Sequence, residues 1–428
     1  MNFNDNNPGS ILPAVNTGKR LIVIGGGAAG FFCAINAARL NPYLKVTILE
    51  KTHNLLSKVK VSGGGRCNVT HSLFEIIEMS KRYPRGQNVV KKTFHQFFTT
   101  DTIKWFEERD IQLKAESDGR MFPVTDSSQT IIDCLLKEAN KYNVSIKIRS
   151  EVKDLERKEG WKIKLENGET LEADYVCIAS GGYAKSSMFE WIKKLGHTIA
   201  EPVPSLFTFN LPKHPITTLM GVSVEKVRLK IEANKLTEEG PLLITHWGLS
   251  GPGVLRLSAW GARELAEKKY EFKVHINWLS EYNESSLKLK FQQLRMLNAS
   301  RKVVNADFTE LPNRLWLFLV EQSGINRDIR FADLPAKHEQ KLIKNLVDYI
   351  VEIKGKTTFK EEFVTAGGVE TSEVDVNKMM SKVQPDLFFA GEILNVDGIT
   401  GGYNFQHAWT SGWIAAKSIA QSASLKMQ

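Results

Sequence analysis

Three glycines at G-x-G-x-x-G spacing, Gly25, Gly27 and Gly30, stand between an apolar run at residues 21–24 and an alanine-rich stretch at 31–40. This spacing can hold a pyrophosphate. Gly25 permits a tight turn, Gly27 lets backbone approach the phosphates, and Gly30 lets a helix pack closely on the preceding strand. The free N–H groups and positive dipole end of that helix complement the negative charge. Glu50 ends a second apolar run at residues 45–49, about 20 residues beyond Gly30, where a carboxylate can accept from ribose hydroxyls. An acid there suits an unphosphorylated ribose, so FAD or NAD fits better than NADP.

Two further stretches carry similar chemistry. Residues 62–70, SGGGRCNVT, place Gly63, Gly64 and Gly65 directly before Arg66 and Asn68. Consecutive glycines let N–H groups crowd a ligand. Arg66 is then a candidate phosphate ligand and Asn68 a partner for a polar ring edge. Near the C-terminus a buried run at 387–390 ends in Gly391 and Glu392, followed by Asp397-Gly398, Gly401-Gly402-Tyr403-Asn404 and a helical stretch at 405–420. Such a loop and helix start can stabilise the negative charge a reduced flavin carries near N1 and its C2 carbonyl. This pairing favours FAD over NAD alone. Cys67, His71, Tyr403 and His407 are the catalytic candidates, because they fall in these motifs; for each, packing against the flavin is the plainer role.

The elements that must position these groups follow the α/β pattern. A run at 175–178 ends in Ser180-Gly181-Gly182 and would bring Gly181 to the same ligand. Residues 127–139 predict a capped helix, and 161–171 a hairpin. From about 197 the runs at 206–211, 222–231 and 242–245 read as strands without helices between them, an inserted antiparallel barrel or sandwich. Residues 280–353 read as helical, with Leu342, Ile343, Leu346, Val347, Ile350 and Val351 forming one stripe. The loop 246–253 leads into a helix but is not G-x-G-x-x-G, so no second fingerprint for NAD(P)H is present.

The chain has 428 residues and a net charge of +9, enough length for two or three domains. The charge suits anionic cofactors, substrates or nucleic acid, and equally a lysine-rich solvated surface. Residues 81–98 interleave five basic residues with Tyr83, Phe94, Phe97 and Phe98 and contain no acid. That is the best candidate nucleic-acid surface; a basic amphipathic helix with its aromatics in the core is the plainer reading. Cys33, Cys67, Cys134 and Cys177 form no C-x-x-C, which argues against a metal site or redox dithiol. No apolar run reaches membrane-span length, and no secretory leader is visible. The expectation is a cytoplasmic protein with a disordered tail at 1–18.

At these residues the chain resembles a known family. GGGAAG (25–30), SGGGRCNVT (62–70), GRMFP (119–123), LGHTI (195–199), THWGLSGPG (245–253), VTAGGVE (364–370) and FAGEILNVDGITGGYNFQHAW (389–409) are similar to the bacterial FAD-dependent oxidoreductases described as aminoacetone-oxidase-like or bile-acid-reductase-like. These belong to the two-dinucleotide-binding-domain flavoproteins. The resemblance implies an α/β fold: a Rossmann-like FAD-binding domain (19–196 and 364–428) interrupted by a β-barrel domain (197–278 and 354–363), itself interrupted by a helical domain (279–353). It implies FAD contacts at Gly25, Gly27, Ala29, Gly30, Glu50, Lys51, Arg66, Asn68, Val152, Gly181, Glu392, Asp397, Gly402 and Asn404, with Val152 meeting adenine through its backbone and Asp397 the ribityl chain. The chain departs from the family pattern at His71, where asparagine is usual, at His407, where an aliphatic residue is usual, and in the loop after Gly182.

The expectation is an FAD-dependent oxidoreductase that passes a hydride between flavin and a small organic substrate, with NAD(P)H as a transient donor or oxygen as acceptor. The alternatives are a nucleic-acid-associated flavoprotein and a flavin-binding protein without turnover.

Overall fold

The computed structural model describes residues 18–232, 235–358 and 364–425. The expected tail therefore lies outside the described residues except for Gly18, as do 359–363 of the expected barrel.

The strand Arg20–Ile24 is buried along all but its first residue, as a central parallel strand covered on both faces must be. Tyr175–Ile178 and Lys45–Leu49 pair with it in parallel. Leu387–Phe389 and Ser145–Lys147 extend the parallel set outward, and two short antiparallel strands complete a seven-stranded sheet. The helices Ala28–Leu40 and Tyr403–Leu425 cross on one side of it. Their crossing is close because Gly412 faces the first helix: a Cβ there would stand 2.8 Å from the Ala29 carbonyl oxygen. Around them Phe32 packs against Phe97, Trp105 and Trp409. The buried Asn36 amide is satisfied by Phe32 O (2.8 Å) and Trp105 Nε1 (3.1 Å), which a buried polar group requires.

A second seven-stranded sheet runs from Tyr349–Lys354 through Glu271–Asn277, Ser223–Ile231, Thr237–Ile244, Gly248–Ser250 and Thr208–Asn210 to Lys356–Thr357. Its two outer strands are joined through a single residue, Gly355, at φ +98°. That joint brings the sheet's edges together and gives it the barrel form. The helices Glu284–Leu297, Asn313–Gln322 and Ala336–Val347 lie against it, and their buried faces share one apolar core with the sheet. The fold is thus α/β, a Rossmann-like sheet with a barrel-like insert that carries helices of its own.

The helical stripe expected through Val351 is shorter than the sequence suggests. The helix ends at Val347, and Ile350 and Val351 lie on the strand Tyr349–Lys354, which pairs with Glu271–Asn277. Leu342, Ile343 and Leu346 keep the helical face.

Candidate functional site

The first glycine turn is built from backbone. Gly25 N–H donates to Leu49 O (2.8 Å), and Leu56 N–H donates to Gly26 O (2.8 Å). Gly25 stands at φ +117°, and a Cβ on Gly30 would overlap the Gly25 carbonyl oxygen, so helix and turn touch as the spacing predicts. Glu50 accepts from Gly26 N–H (2.9 Å) through one oxygen and from Thr52 N–H (2.9 Å) through the other. Gly27 caps the helix Ala28–Leu40 without any side-chain partner.

Beside this turn the glycines fall into two kinds. Gly25 and Gly30 are pressed against backbone. A Cβ on Gly27, Gly64, Gly65 or Gly181 would meet nothing within 4 Å. Gly27 follows the central strand, Gly181 follows its parallel neighbour, and Gly64–Gly65 follow a short helical turn that starts beside Gly26. They line open space along the C-terminal edge of the parallel sheet, the place where ligands of such sheets bind. The helix assigned to Ser57–Gly65 in fact breaks at Ser62, and Gly63 and Gly64 take left-handed conformations.

The second half of the site is a network of side chains. Glu392 accepts from Thr365 N–H (2.9 Å) and pairs with Lys58 Nζ (2.6 Å). Thr365 Oγ1 is buried and has no hydrogen-bond partner among the described residues, which fits a hydroxyl that meets a polar ligand. Gly182 must be glycine here, because a Cβ would overlap the Thr365 hydroxyl. Gly402, at φ +91°, lies against the strand Thr70–His71 and starts the helix Tyr403–Leu425. The amide of Asn68, oriented by its hydrogen bonds, donates to Thr70 O (2.9 Å) and accepts from Gly402 N–H (2.9 Å).

Several expected ligands are therefore committed elsewhere. Asp397 is fully buried and held by Arg85 through both oxygens, with Ser205 Oγ donating to it (2.9 Å). Burial pushes its carboxyl up while the Arg85 guanidinium opposes that. Arg85 also donates to Ala259 O (2.6 Å), so this group ties the nucleotide lobe to the barrel. Arg66 pairs with Glu116 (2.6 Å) and lies 4.0 Å from the Phe122 ring centroid. Asn68, expected at a ring edge, spans Thr70 and Gly402. Asn404 brackets Gly398, accepting from its N–H (2.8 Å) and donating to its carbonyl (2.9 Å). Lys51 stands 5.8 Å from the Tyr183 ring centroid. Val152 is half-buried at the start of the strand Val152–Arg157. Ala29 packs under Gly391.

Of the catalytic candidates, Cys67, Tyr403 and His407 are buried and His71 is half-buried. Cys67 is wholly buried and its thiol is pushed up to about 12, so it stays protonated and out of a ligand's reach. His407 is 2 % exposed, and burial holds its imidazole down at about 4. His71 and Tyr403 stack with ring centroids 4.8 Å apart. The His71 Nδ1 lies 2.9 Å from Gly401 O, and burial lowers its pKa. Burial raises the Tyr403 phenol to about 12, with Arg82 and Arg256 pulling the other way.

These two arginines line a cleft of ≈ 260 Å³ between the lobes, together with Glu238, Trp260 and Ile399. Arg256 and Trp260 were not legible as site residues; both lie on the helix Pro252–Trp260, which the sequence marks only as following the 246–253 loop. The aromatics of residues 81–98 are core residues, Tyr83, Phe94, Phe97 and Phe98 all being buried, so they form no stacking surface. No cluster of metal-ligating side chains occurs among the described residues. All four cysteines are free and buried. No helix of the described residues is long and apolar enough to cross a membrane.

A parallel sheet with an open glycine cradle at its C-terminal edge, an acid after the second strand and a second helix start facing the same edge defines a dinucleotide-binding flavoprotein. The residues present fit FAD. The sequence matches the family described as HI0933-like protein Rossmann domain over residues 19–418, and the chain belongs to that family. It is 30 % identical over 415 residues to a 3-dehydro-bile acid delta(4,6)-reductase of Clostridium scindens, covering 94 % of this chain and 99 % of that protein. It is 31 % identical over 414 residues to a ribosomal RNA dihydrouridine synthase of Escherichia coli, covering 94 % and 98 %. Among solved structures, a 3-ketosteroid-delta4-(5alpha)-dehydrogenase of Rhodococcus jostii superposes with a TM-score of 0.50 at 14 % identity, covering 96 % of this chain and 99 % of that one. At that identity the likeness concerns the fold alone.

Proposed function

We propose that the protein is an FAD-dependent reductase of a carbon–carbon double bond conjugated to a carbonyl, and that its substrate is a uracil base in RNA. The single observation that carries the reductase reading is the open glycine cradle of Gly27, Gly64, Gly65 and Gly181. The two sequence relatives support the reaction type, since both names describe saturation of an alkene conjugated to a carbonyl. The net charge of +9 supports RNA over a steroid, and a cytoplasmic location is part of this reading.

The turn at Gly25–Gly27 and the start of helix Ala28–Leu40 hold the pyrophosphate, and Glu50 accepts from the adenosine ribose. The loop Gly401–Gly402 and the start of helix Tyr403–Leu425 hold the ring end, where the helix dipole favours negative charge. Glu392, fixed by Lys58 and Thr365, shapes the wall between them. When bound, FAD supplies the hydride that one alkene carbon gains, with NAD(P)H as the electron source. We assign Tyr403 as the donor of the proton that the neighbouring carbon gains, because it stands at the helix start beside Gly401 and Gly402, at the ring end of the cradle, and burial keeps its phenol protonated. His71, stacked on it and fixed by Gly401 O, holds the ring in place.

The test is to incubate the FAD-loaded protein and NAD(P)H with ribosomal RNA made without modifications, then score dihydrouridine by mass. Dihydrouridine formation that Tyr403→Phe slows about 100-fold or more, with FAD retained, is the expected result. Turnover of a 3-oxo steroid dienone with no RNA product would overturn the RNA reading and leave the reductase. Protein that takes up no FAD would overturn both.

A further inference from the structure

We propose that the cleft between Arg82 and Arg256 is a nucleotide subsite, in which a phosphodiester next to the reacting uridine sits between the two guanidinium groups and its base rests on Trp260. This rests on the RNA reading above and names the part of the RNA that the protein grips.

The two arginines come from opposite walls. Arg82 follows the helix Ile76–Ser80 of the nucleotide-binding lobe, and its side chain is exposed. Among the described residues it makes no ion pair or side-chain hydrogen bond, so its charge is free for a ligand. Arg256 belongs to the barrel-like lobe and is built in. Its Nε donates to Glu238 (3.2 Å) and its Nη2 to Glu239 O (2.6 Å). Gly240 leaves room for it, since a Cβ there would overlap Nη2. These bonds use one edge of the guanidinium and leave Nη1. A planar guanidinium fixed along one edge presents the other to a phosphate oxygen.

The charges of the lining favour an anion. Glu238 is its one carboxylate, and Arg256 neutralises it. Arg82 is left as net positive charge. A steroid here would strip water from the Arg82 guanidinium and give it no partner, which is costly.

The rest of the lining favours a base. Trp260 is 37 % exposed at the end of its helix, and Leu236, Leu257 and Ile399 supply an apolar floor. An exposed indole beside cations is the usual platform for an unstacked base. The ≈ 260 Å³ has room for one pyrimidine nucleoside. It falls below the ~300–1,000 Å³ of sites that engulf a whole small molecule, so the remainder of this ligand must lie outside the cleft. The position also fits. Both guanidinium groups act on the Tyr403 phenol, and Ile399 belongs to the loop that leads to Gly401 and Gly402. A nucleotide held here is one step from the flavin end of the cradle.

The experiment measures binding of a fluorescent uridine-containing hairpin RNA to the FAD-loaded protein over a range of salt concentrations. It compares wild type with Arg82→Ala, Arg256→Ala, Arg82→Lys and Trp260→Ala, each checked for flavin absorbance and melting temperature. Neutralising one phosphate contact should lower the slope of log affinity against log salt by about 0.7–0.9. Arg82→Ala and Arg256→Ala should each do this, and Arg82→Lys should restore the slope. Trp260→Ala should weaken binding roughly 5- to 150-fold with the slope unchanged, as loss of one stacked base does. If wild type forms dihydrouridine and the variants bind RNA with unchanged slope and affinity, the subsite is overturned and the RNA reading stands. If wild type neither binds RNA nor forms dihydrouridine, both fall. Should Arg256→Ala unfold by exposing Glu238, the exposed Arg82 and Trp260 decide the matter alone.

Discussion

The two ends of the cradle are made in different ways. At Gly25–Gly30 the site is backbone: glycines, strand ends and a helix start, with Glu50 as its one acid and that acid held locally by Gly26 and Thr52. At Gly391–Asn404 the site is a side-chain network whose members reach across the molecule. Asp397 is tied to Arg85 and Ser205, Glu392 to Lys58 and Thr365, and Gly402 to Asn68. A backbone site depends on which residues are absent, since any Cβ intrudes. A network site depends on each partner being present. The first is local and transferable between proteins; the second couples its end of the cradle to the barrel.

That contrast can be broken at its backbone end first. Gly30→Val should cost more than about 4 kcal/mol, the range reserved for severe substitutions, because its side chain would overlap the Gly25 carbonyl and backbone cannot yield. Gly27→Ala meets no protein atom, so it should fold with normal stability and lose FAD affinity. Urea unfolding with flavin titration checks both. An unstable Gly27→Ala would show that this glycine serves the fold and not the ligand.

At the network end, Asp397→Ala should cost about 3–5 kcal/mol by leaving the Arg85 charge buried without its partner. Double replacement of Asp397 and Arg85 by apolar residues should recover part of the loss. A melting temperature unmoved by Asp397→Ala would refute the idea that the pair ties the lobes together.

The smallest effect concerns His407, in the first turns of the second helix. Its pKa is about 4 in the folded chain against 6.5 unfolded. The unfolded state binds the proton more readily, so stability is complete above pH 6.5 and falls as pH drops towards 4. Over that window the loss should reach roughly 3 kcal/mol. Melting curves from pH 7 to pH 4 should show it, and His407→Leu should flatten the dependence. An equal acid loss in His407→Leu would assign the effect to other groups.

The same contrast explains what the sequence made legible. The backbone half was legible because its determinants are contiguous: strand, glycines, helix, strand, acid. The residues of the network half were visible as polar groups, but their partners were not. Arg85 and Asp397, or Arg66 and Glu116, meet only through tertiary structure, so Asp397 and Arg66 looked free for a ligand. Arg82 and Arg256 face each other across the lobes for the same reason. The misplaced helix end at Ile350 and Val351 has a local cause. Adjacent apolar residues satisfy both the helical and the extended period, and only the pairing with Glu271–Asn277 decides between them.

The close crossing at Gly412 has a consequence in time. The helix beginning at Ala28 leaves the ribosome long before its partner beginning at Tyr403. Until Trp409 emerges, Phe32 lacks the ring that covers it, and the apolar flank of the first helix stays open to water. Contacts of such long sequence separation form slowly and leave nascent chains prone to stray association. Synthesis of this protein therefore passes through a long interval in which the first helix exists and the glycine cradle is not yet complete.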